Sequence, residues 1–205
     1  MKKPWDLFFD EKTRRIFTEK SFVLDIGGGL RVIREKNNRY DPTREWLRPF
    51  IEKVKYVVMD PVPDYHPDVV GDIHAIPFPD NSVDAVICIA VLEHVEDPGR
   101  AVEEMYRVLK PGGYCFVYTP FLYYYHAEIG YYKDYWRFSK DALELMFKPF
   151  STVEIDPVRG ALETWFRISP LGRSSFLLTL AHYMDRVFKK LTSRQVSGYN
   201  SFLIK

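Results

Sequence analysis

The 205 residues carry a formal net charge of +1 and are 46% hydrophobic. That near-neutral balance excludes a strongly electrostatic hold on nucleic acid, and the hydrophobic share suffices for an ordinary core. The length suits one domain, or one domain with additions.

The N-terminal stretch "MKKPWDLFFDEKTRRIF" begins with two lysines, but no long apolar run follows. Neither a signal peptide nor a transmembrane span is expected, and the cytoplasm is the default location. Residues 1–20 read as a helical extension. Residues 22–26 form a short apolar run, the first predicted strand. The region from Arg31 to Lys55 is less regular: Asn37-Asn38, Asp41-Pro42 and Pro49 break it into a short helix, a loop and another short helix. Tyr56 to Met59 reads as a second strand ending at Asp60, and Val69-Val70 as a third, leading into Gly71-Asp72. Val83 to Ala90 is nearly continuously apolar, as a strand covered on both faces should be. Asp97 and Pro98 then open a helix that carries Val102, Met105 and Leu109 on one face. Lys110-Pro111-Gly112-Gly113 stops it before a fifth strand, Tyr114 to Tyr118. Ser139 caps a helix to Phe147. Phe150 to Val158 reads as a sixth strand and Gly198 to Lys205 as the last. Between them, residues 160–194 are an added helical segment. Its apolar stripe at Leu177, Leu180, Met184, Val187 and Leu191 suits core packing or a homodimer contact, which are favoured over membrane-surface contact despite the basic end at Arg186, Lys189, Lys190 and Arg194. Alternating strands and helices argue for a mostly parallel, doubly wound α/β sheet. Cys88 and Cys115 sit in apolar runs and read as buried strand residues. The Cys/His spacings of zinc sites are absent, so no metal is expected.

The stretch "VLDIGGG" (Val23 to Gly29) runs from a strand into a carboxylate and three glycines. A glycine loop that opens a helix presents bare amides to an anion and lets a ligand approach closely. Dinucleotides and sulfonium nucleosides both use such a loop. The dinucleotide fingerprint needs a glycine at position 32, where this chain has Val. Asp25 would repel a pyrophosphate but suits a ligand with an ammonium group. Asp60 stands where a carboxylate can accept from both hydroxyls of a ribose, and Gly71-Asp72-Ile73 where an adenine edge can be read.

"VLDIGGG", "YVVMD" and "GDIHAIPFPDNSVDAVICIAVLEHVEDPGRAVEEMYRVLKPGGYCFVYTP" together resemble the class I S-adenosylmethionine-dependent methyltransferases, in particular the small "methyltransferase type 11" group. The resemblance covers roughly residues 20–150 and is most specific from Gly71 to Pro120. It implies a Rossmann-like seven-stranded sheet, S-adenosyl-L-methionine as cofactor, and methyl transfer to a small molecule. By this resemblance Asp25 and the loop Gly27, Gly28, Gly29 hold the methionine end, Asp60 and Pro61 the ribose side and Asp72 and Ile73 the adenine, while Ala90, Val91 and Leu92 pass beside the cofactor. Family members commonly carry a further glycine where Arg31 stands. A long cation there alters the loop's packing and can neutralise the cofactor's carboxylate.

The segment Phe121 to Phe138 has nine aromatics in 18 residues, against 16% chain-wide. It follows the fifth strand, so it belongs over the ligand-binding edge of the sheet, as the wall or lid of an acceptor pocket. Within it, His126 is the candidate base. Asp134 and Arg137 either pair with each other or leave Arg137 to clamp an acceptor anion. His94 and Glu93 read first as turn residues. Similar segments in the family belong to members often associated with cell-surface glycans or secondary metabolites, and a hydroxyl of such a molecule is the preferred acceptor, with nitrogen or carbon next. The rival readings are a cofactor-binding module without catalysis and a nicotinamide-dependent oxidoreductase.

Overall fold

A computed structural model describes residues 2–36, 40–170 and 172–205. The break expected at Asn37-Asn38 lies outside the described residues. The strands are β1 (Phe22–Ile26), β2 (Lys55–Asp60), β3 (Val69–Val70), β4 (Val83–Ile89), β5 (Leu109–Pro120), β6 (Thr152–Val158) and β7 (Gly198–Ile204). They form one sheet in the order β3-β2-β1-β4-β5-β7-β6. β1 to β5 pair in parallel, and β7 runs antiparallel between β5 and β6. The expected mostly parallel, doubly wound sheet is therefore present. Its parallel half brings the carboxyl ends of β1, β2, β3 and β4 to one edge, where ligands bind in such sheets.

The helices are α1 (Pro4–Glu19), α2 (Arg48–Ile51), α3 (Pro98–Val108), α4 (Lys140–Met146), α5 (Ala161–Ile168) and α6 (Ser175–Val187). Alternation along β4 shows how the two faces are covered. Val86 and Cys88 pack with Val102 and Met105 of α3 and Leu143 of α4, while Ala85 and Ile87 pack with Ile16 and Phe17 of α1 and with Leu47 and Ile51. Asp97 caps α3 by accepting from the Arg100 amide at 2.9 Å, and Ser139 caps α4 by accepting from Ala142. Cys88 and Cys115 are buried and unbonded.

Three elements differ from expectation. β5 begins at Leu109, not after the glycines: Leu109 pairs with Val83, and the register shifts before Ala85 meets Tyr114. The Pro-Gly-Gly stop is thus absorbed as an irregularity within the strand, which bends a strand without ending it. Among the described residues no helix opens at the glycine loop. Residues 27–30 form a turn, and the chain passes through short 3-10 turns at Arg34–Lys36 and Pro42–Leu47 before α2. Finally, the stripe expected on the last helix is divided: Leu177, Met184 and Leu191 are half-buried. Leu180 is 44% and Val187 56% exposed, whereas Ala181 and Asp185 are buried. Asp185 accepts from the Leu162 and Glu163 amides, each at 2.9 Å. It thereby satisfies the open first turn of α5, and this cap and Ala181 are the fully buried part of the α6 contact, with Leu177 and Met184 half-buried beside them. Among the described residues no helix is long and apolar enough to cross a membrane.

Candidate functional site

The loop after β1 is clamped from both sides. The fully buried Asp25 carboxylate accepts from the Gly29 amide at 3.1 Å, the Leu30 amide at 3.2 Å and the Tyr56 hydroxyl at 2.5 Å. Burial raises its pKa from 3.8 to about 6, against the opposing pull of these donors. On the other side, the Arg44 guanidinium donates to the Gly29 carbonyl at 2.6 Å. The glycines are needed for close approach. A Cβ on Gly29 would lie 2.8 Å from the Ile89 carbonyl oxygen and 2.6 Å from the Ile89 Cβ, and Gly27 has φ +76 with Val91 in the way. So one of the glycine amides expected to face an anion, that of Gly29, is already taken by Asp25, together with the next amide along the chain, Leu30. The acid expected to meet an ammonium group instead holds the loop in shape.

Beside this loop lies a cleft of about 150 Å³. Gly27 and Gly29 line it together with Asp60, Pro61, Asp72, Ile73, Ala90 and Val91. These eight come from the ends of β1, β2, β3 and β4, so the residues expected to hold the cofactor are gathered at one edge of the sheet. Asp25 and Gly28 are not among the lining residues. Asp60 accepts from the Val62 amide through Oδ1 at 2.8 Å. Its Oδ2 has no hydrogen bond among the described residues, and burial raises its pKa. Asp72 turns through its own loop, accepting from the His74 amide, and that bond lowers its pKa. Ala90, in the left-handed region at φ +55, turns the chain at the end of β4 against the cleft. Tyr65 stacks on Tyr131 with ring centroids 5.4 Å apart and roofs the cleft. Burial pushes the Tyr65 hydroxyl up to about 12.

A second, larger cavity of about 910 Å³ adjoins the first. Both are lined by Gly29, Arg31, Ile89, Ala90, His94 and Tyr132, so they are two lobes of one site. The larger lobe is walled by Tyr123, Tyr124, Tyr125 and His126 of the aromatic segment, by Phe116 and Tyr118 of β5, and by Trp5 and Phe9 of α1. Sequence patterning had no means of placing α1 here, because a helix at the chain's start reaches the site only through the fold. Arg31 sits between the lobes with φ +57, the left-handed conformation that a glycine would adopt without strain.

The aromatic segment is pinned to the loop after β4. The Tyr135 and Trp136 amides donate to the Glu93 carbonyl at 2.8 and 3.1 Å, and the Trp136 indole donates to the Val95 carbonyl. Asp134 and Arg137 complete this frame and do not reach either lobe. They form a two-pronged pair at 2.6 and 2.7 Å, and Arg137 also donates to the Tyr123, Tyr124 and Trp136 carbonyls. Burial alone would raise the Asp134 pKa. The Arg137 guanidinium and the His126 amide overcome it and hold that pKa at about 2. Arg137 therefore has no free prong for an acceptor anion; the pair is a positioning device.

His126 does face the larger lobe, but not alone. Its Nε2 lies 3.7 Å from Oε1 of Glu93, and that of His94 lies 3.9 Å from the same oxygen. The facing Glu93 carboxylate raises the His126 pKa against the effect of burial. Glu93 is completely buried, and neither of its side-chain oxygens has a hydrogen-bond partner among the described residues. Glu93 and His94 sat in a turn that sequence alone assigned to structure. The only available signal was an acid next to a histidine after a predicted strand, which is common without function.

Comparison with known proteins adds to this geometry. A family model described as "Methyltransferase domain" matches residues 42–117. The chain is 33% identical over 101 residues to the ubiquinone/menaquinone biosynthesis C-methyltransferase of Escherichia coli, covering 44% of this chain and 39% of that one. It is 51% identical over 45 residues to a demethylmenaquinone methyltransferase of Renibacterium salmoninarum, covering 22% and 19%. The chain thus spans less than half the length of these curated relatives. Among solved structures, an S-adenosylmethionine-dependent methyltransferase from Archaeoglobus fulgidus superposes with a TM-score of 0.58 at 17% identity, covering 99% of this chain and 100% of that one. A Haloferax volcanii methyltransferase solved with the Trm112 methyltransferase activator gives 0.58 at 16% identity, covering 94% and 88%. At such identities the structures speak for the shared fold.

Proposed function

We propose, from the premise that this chain is a class I S-adenosylmethionine-dependent methyltransferase of the type 11-like group, that it moves the sulfonium methyl of its cofactor onto a ring-bearing small molecule. The observation that carries this reading is the two-lobed site. The smaller lobe holds the strand-end residues suited to a nucleoside: Asp60 for the ribose, Asp72 and Ile73 for the base, and Gly27, Gly29, Ala90 and Val91 close to the sulfonium end. The larger lobe offers aromatic walls to an acceptor, in a volume within the ordinary range of about 300–1,000 Å³ for small-molecule pockets. The residues common to both lobes mark where donor and acceptor meet.

The chemistry asks little beyond alignment. A lone pair on the acceptor forms a bond to the methyl carbon. The sulfur–carbon bond breaks, and sulfur keeps the electron pair as a neutral thioether. The acceptor loses its proton at the cluster of Glu93, His94 and His126. Holding the reacting atoms within about 3–3.5 Å can supply about 7–11 kcal/mol of the barrier. A hydroxyl acceptor suits the polar cluster, and the C-methyltransferase name of one relative is a reason to keep activated ring carbons, already among the expected acceptors, in the panel to be tried. Incubation with methyl-labelled cofactor and a panel of sugars, phenols and quinols tests the reading. Label in an acceptor, with S-adenosylhomocysteine released in equal amount, is the expected result. Tight cofactor binding with no transfer to any acceptor would favour a binding module instead. His126→Asn should lower turnover while leaving cofactor affinity within about twofold, since it stands on the acceptor side.

A further inference from the structure

We propose that Glu93, His94 and His126 form a binding site for one divalent transition-metal ion of the zinc class, at the junction of the two lobes. Each histidine is already set in the tautomer a ligand needs. Nδ1 of His94 lies 2.6 Å from the Lys133 carbonyl, and Nδ1 of His126 lies 3.1 Å from the Tyr124 carbonyl and 3.2 Å from the Asp134 carboxylate. These oxygens only accept, so Nδ1 carries a proton in both rings, and an ion at Nε2 would take the place of any proton that the facing Glu93 carboxylate attracts there. Such outer hydrogen bonds to carbonyls and carboxylates are how metal-ligating imidazoles are held.

Both Nε2 atoms aim at Glu93. One ligand atom from each of the three residues can be chosen so that all lie within 4.8 Å of one another. Zinc–ligand bonds of ~2.1 Å place tetrahedral ligand atoms ~3.4 Å apart. The pairs at 3.7 and 3.9 Å therefore need only small side-chain movements. Glu93 gives the second, independent indication. A carboxylate with no exposure and no hydrogen bond is costly to bury, and a cation between its oxygen and the two imidazoles removes that cost. Two imidazoles and one carboxylate suit zinc, cobalt, iron or nickel better than magnesium or calcium, which favour all-oxygen shells.

All three residues line the larger lobe, so the site has three protein ligands and opens onto a cavity. That is the form of a metal site that keeps positions for water or a substrate oxygen. With an ion held there the three side chains would serve as ligands and not as the proton acceptor of the metal-free reading: a hydroxyl bound to the ion would have its pKa lowered and would lose its proton to water in the open lobe. This catalytic consequence rests on the methyl-transfer reading; the ion site itself does not.

Cobalt titration of the full-length, tag-free, chelator-stripped protein tests the site, read by visible absorption and competed with zinc. One equivalent should bind in the micromolar range or tighter, and zinc should bleach the band. Glu93→Gln and His126→Asn should each weaken binding at least about 100-fold, with circular dichroism confirming the fold. Glu93→Gln removes a buried charge, so it should fold even if the histidine variant does not. His66→Asn, at a left-handed position away from the cluster, should bind as wild type does. No saturable band at millimolar cobalt, or equal affinity in wild type and the Glu93→Gln variant, would overturn the site. Cofactor titration of the same stripped protein keeps the two readings apart: retained cofactor binding without cobalt binding refutes the ion alone.

Discussion

The two lobes of the site are built in opposite ways. The smaller lobe is assembled from the carboxyl ends of adjacent parallel strands, each contributing at least three residues at and just beyond the point where it stops. The larger lobe is assembled from pieces far apart in the chain: α1, the middle of β5, the aromatic segment, and Val158 and Arg159 at the end of β6. A lobe made of strand ends is fixed by the sheet itself. A lobe made of distant pieces depends on tertiary packing, and it can vary while the first stays constant.

Phe116 offers the largest test of that contrast. It is fully buried on β5, meets Phe8 and Phe9 of α1 in ring contacts, and also lines the acceptor lobe. Phe116→Ala should cost about 3–5 kcal/mol of stability in urea unfolding. In the folded fraction it should raise the KM for the acceptor and leave cofactor affinity nearly unchanged. Equal losses for both ligands would show that the lobes are not separable.

The glycine loop gives a pH test. Asp25 has its folded pKa raised from 3.8 to about 6, so the native state binds this proton more tightly than the unfolded chain. Its favourable contribution is complete below about pH 4 and is lost as pH rises through about 6. At about 1.4 kcal/mol per pKa unit the loss amounts to about 3 kcal/mol. Asn cannot titrate. The stability of wild type minus that of Asp25→Asn, measured in urea from pH 3 to 8, should therefore fall by about this amount. A flat difference would mean that the carboxylate is not held as described. The smallest effect is expected at Arg31, where Arg31→Gly should raise stability by about 0.5–1 kcal/mol by relieving the left-handed backbone. A loss of stability would show that the guanidinium contributes more than the strain removes.

What could be read in advance follows the same division. β1 to β4 were legible because buried strands are short apolar runs, and the gathering of Gly27, Gly29, Asp60 and Asp72 at one cleft was legible because parallel strands end on one edge. Asp25 was misjudged because its side chain turns back to its own loop, a choice made by the Gly29 and Leu30 amides when no helix follows to use them. Glu93 and His94 gave little signal, since their meeting with His126 closes over more than thirty residues. The Asp134–Arg137 pair was foreseen as one of two outcomes. The carbonyls of Tyr123, Tyr124 and Trp136 explain why the other is excluded. The stripe of α6 was read as suiting core or subunit packing, and only Leu177, Met184 and Leu191 of it are half-buried, because periodicity reports that a helix is amphipathic and says nothing of which face docks.

The most direct test is calorimetric titration of S-adenosylmethionine into wild type and Asp60→Ala. Asp60 lines the cofactor lobe with one carboxylate oxygen uncommitted among the described residues. The account predicts one cofactor per chain, bound about 10- to 100-fold more weakly in the variant, the range for hydrogen bonds to a charged group of about 1.5–3 kcal/mol. No heat from wild type at millimolar cofactor, or identical affinities for the two proteins, would contradict it.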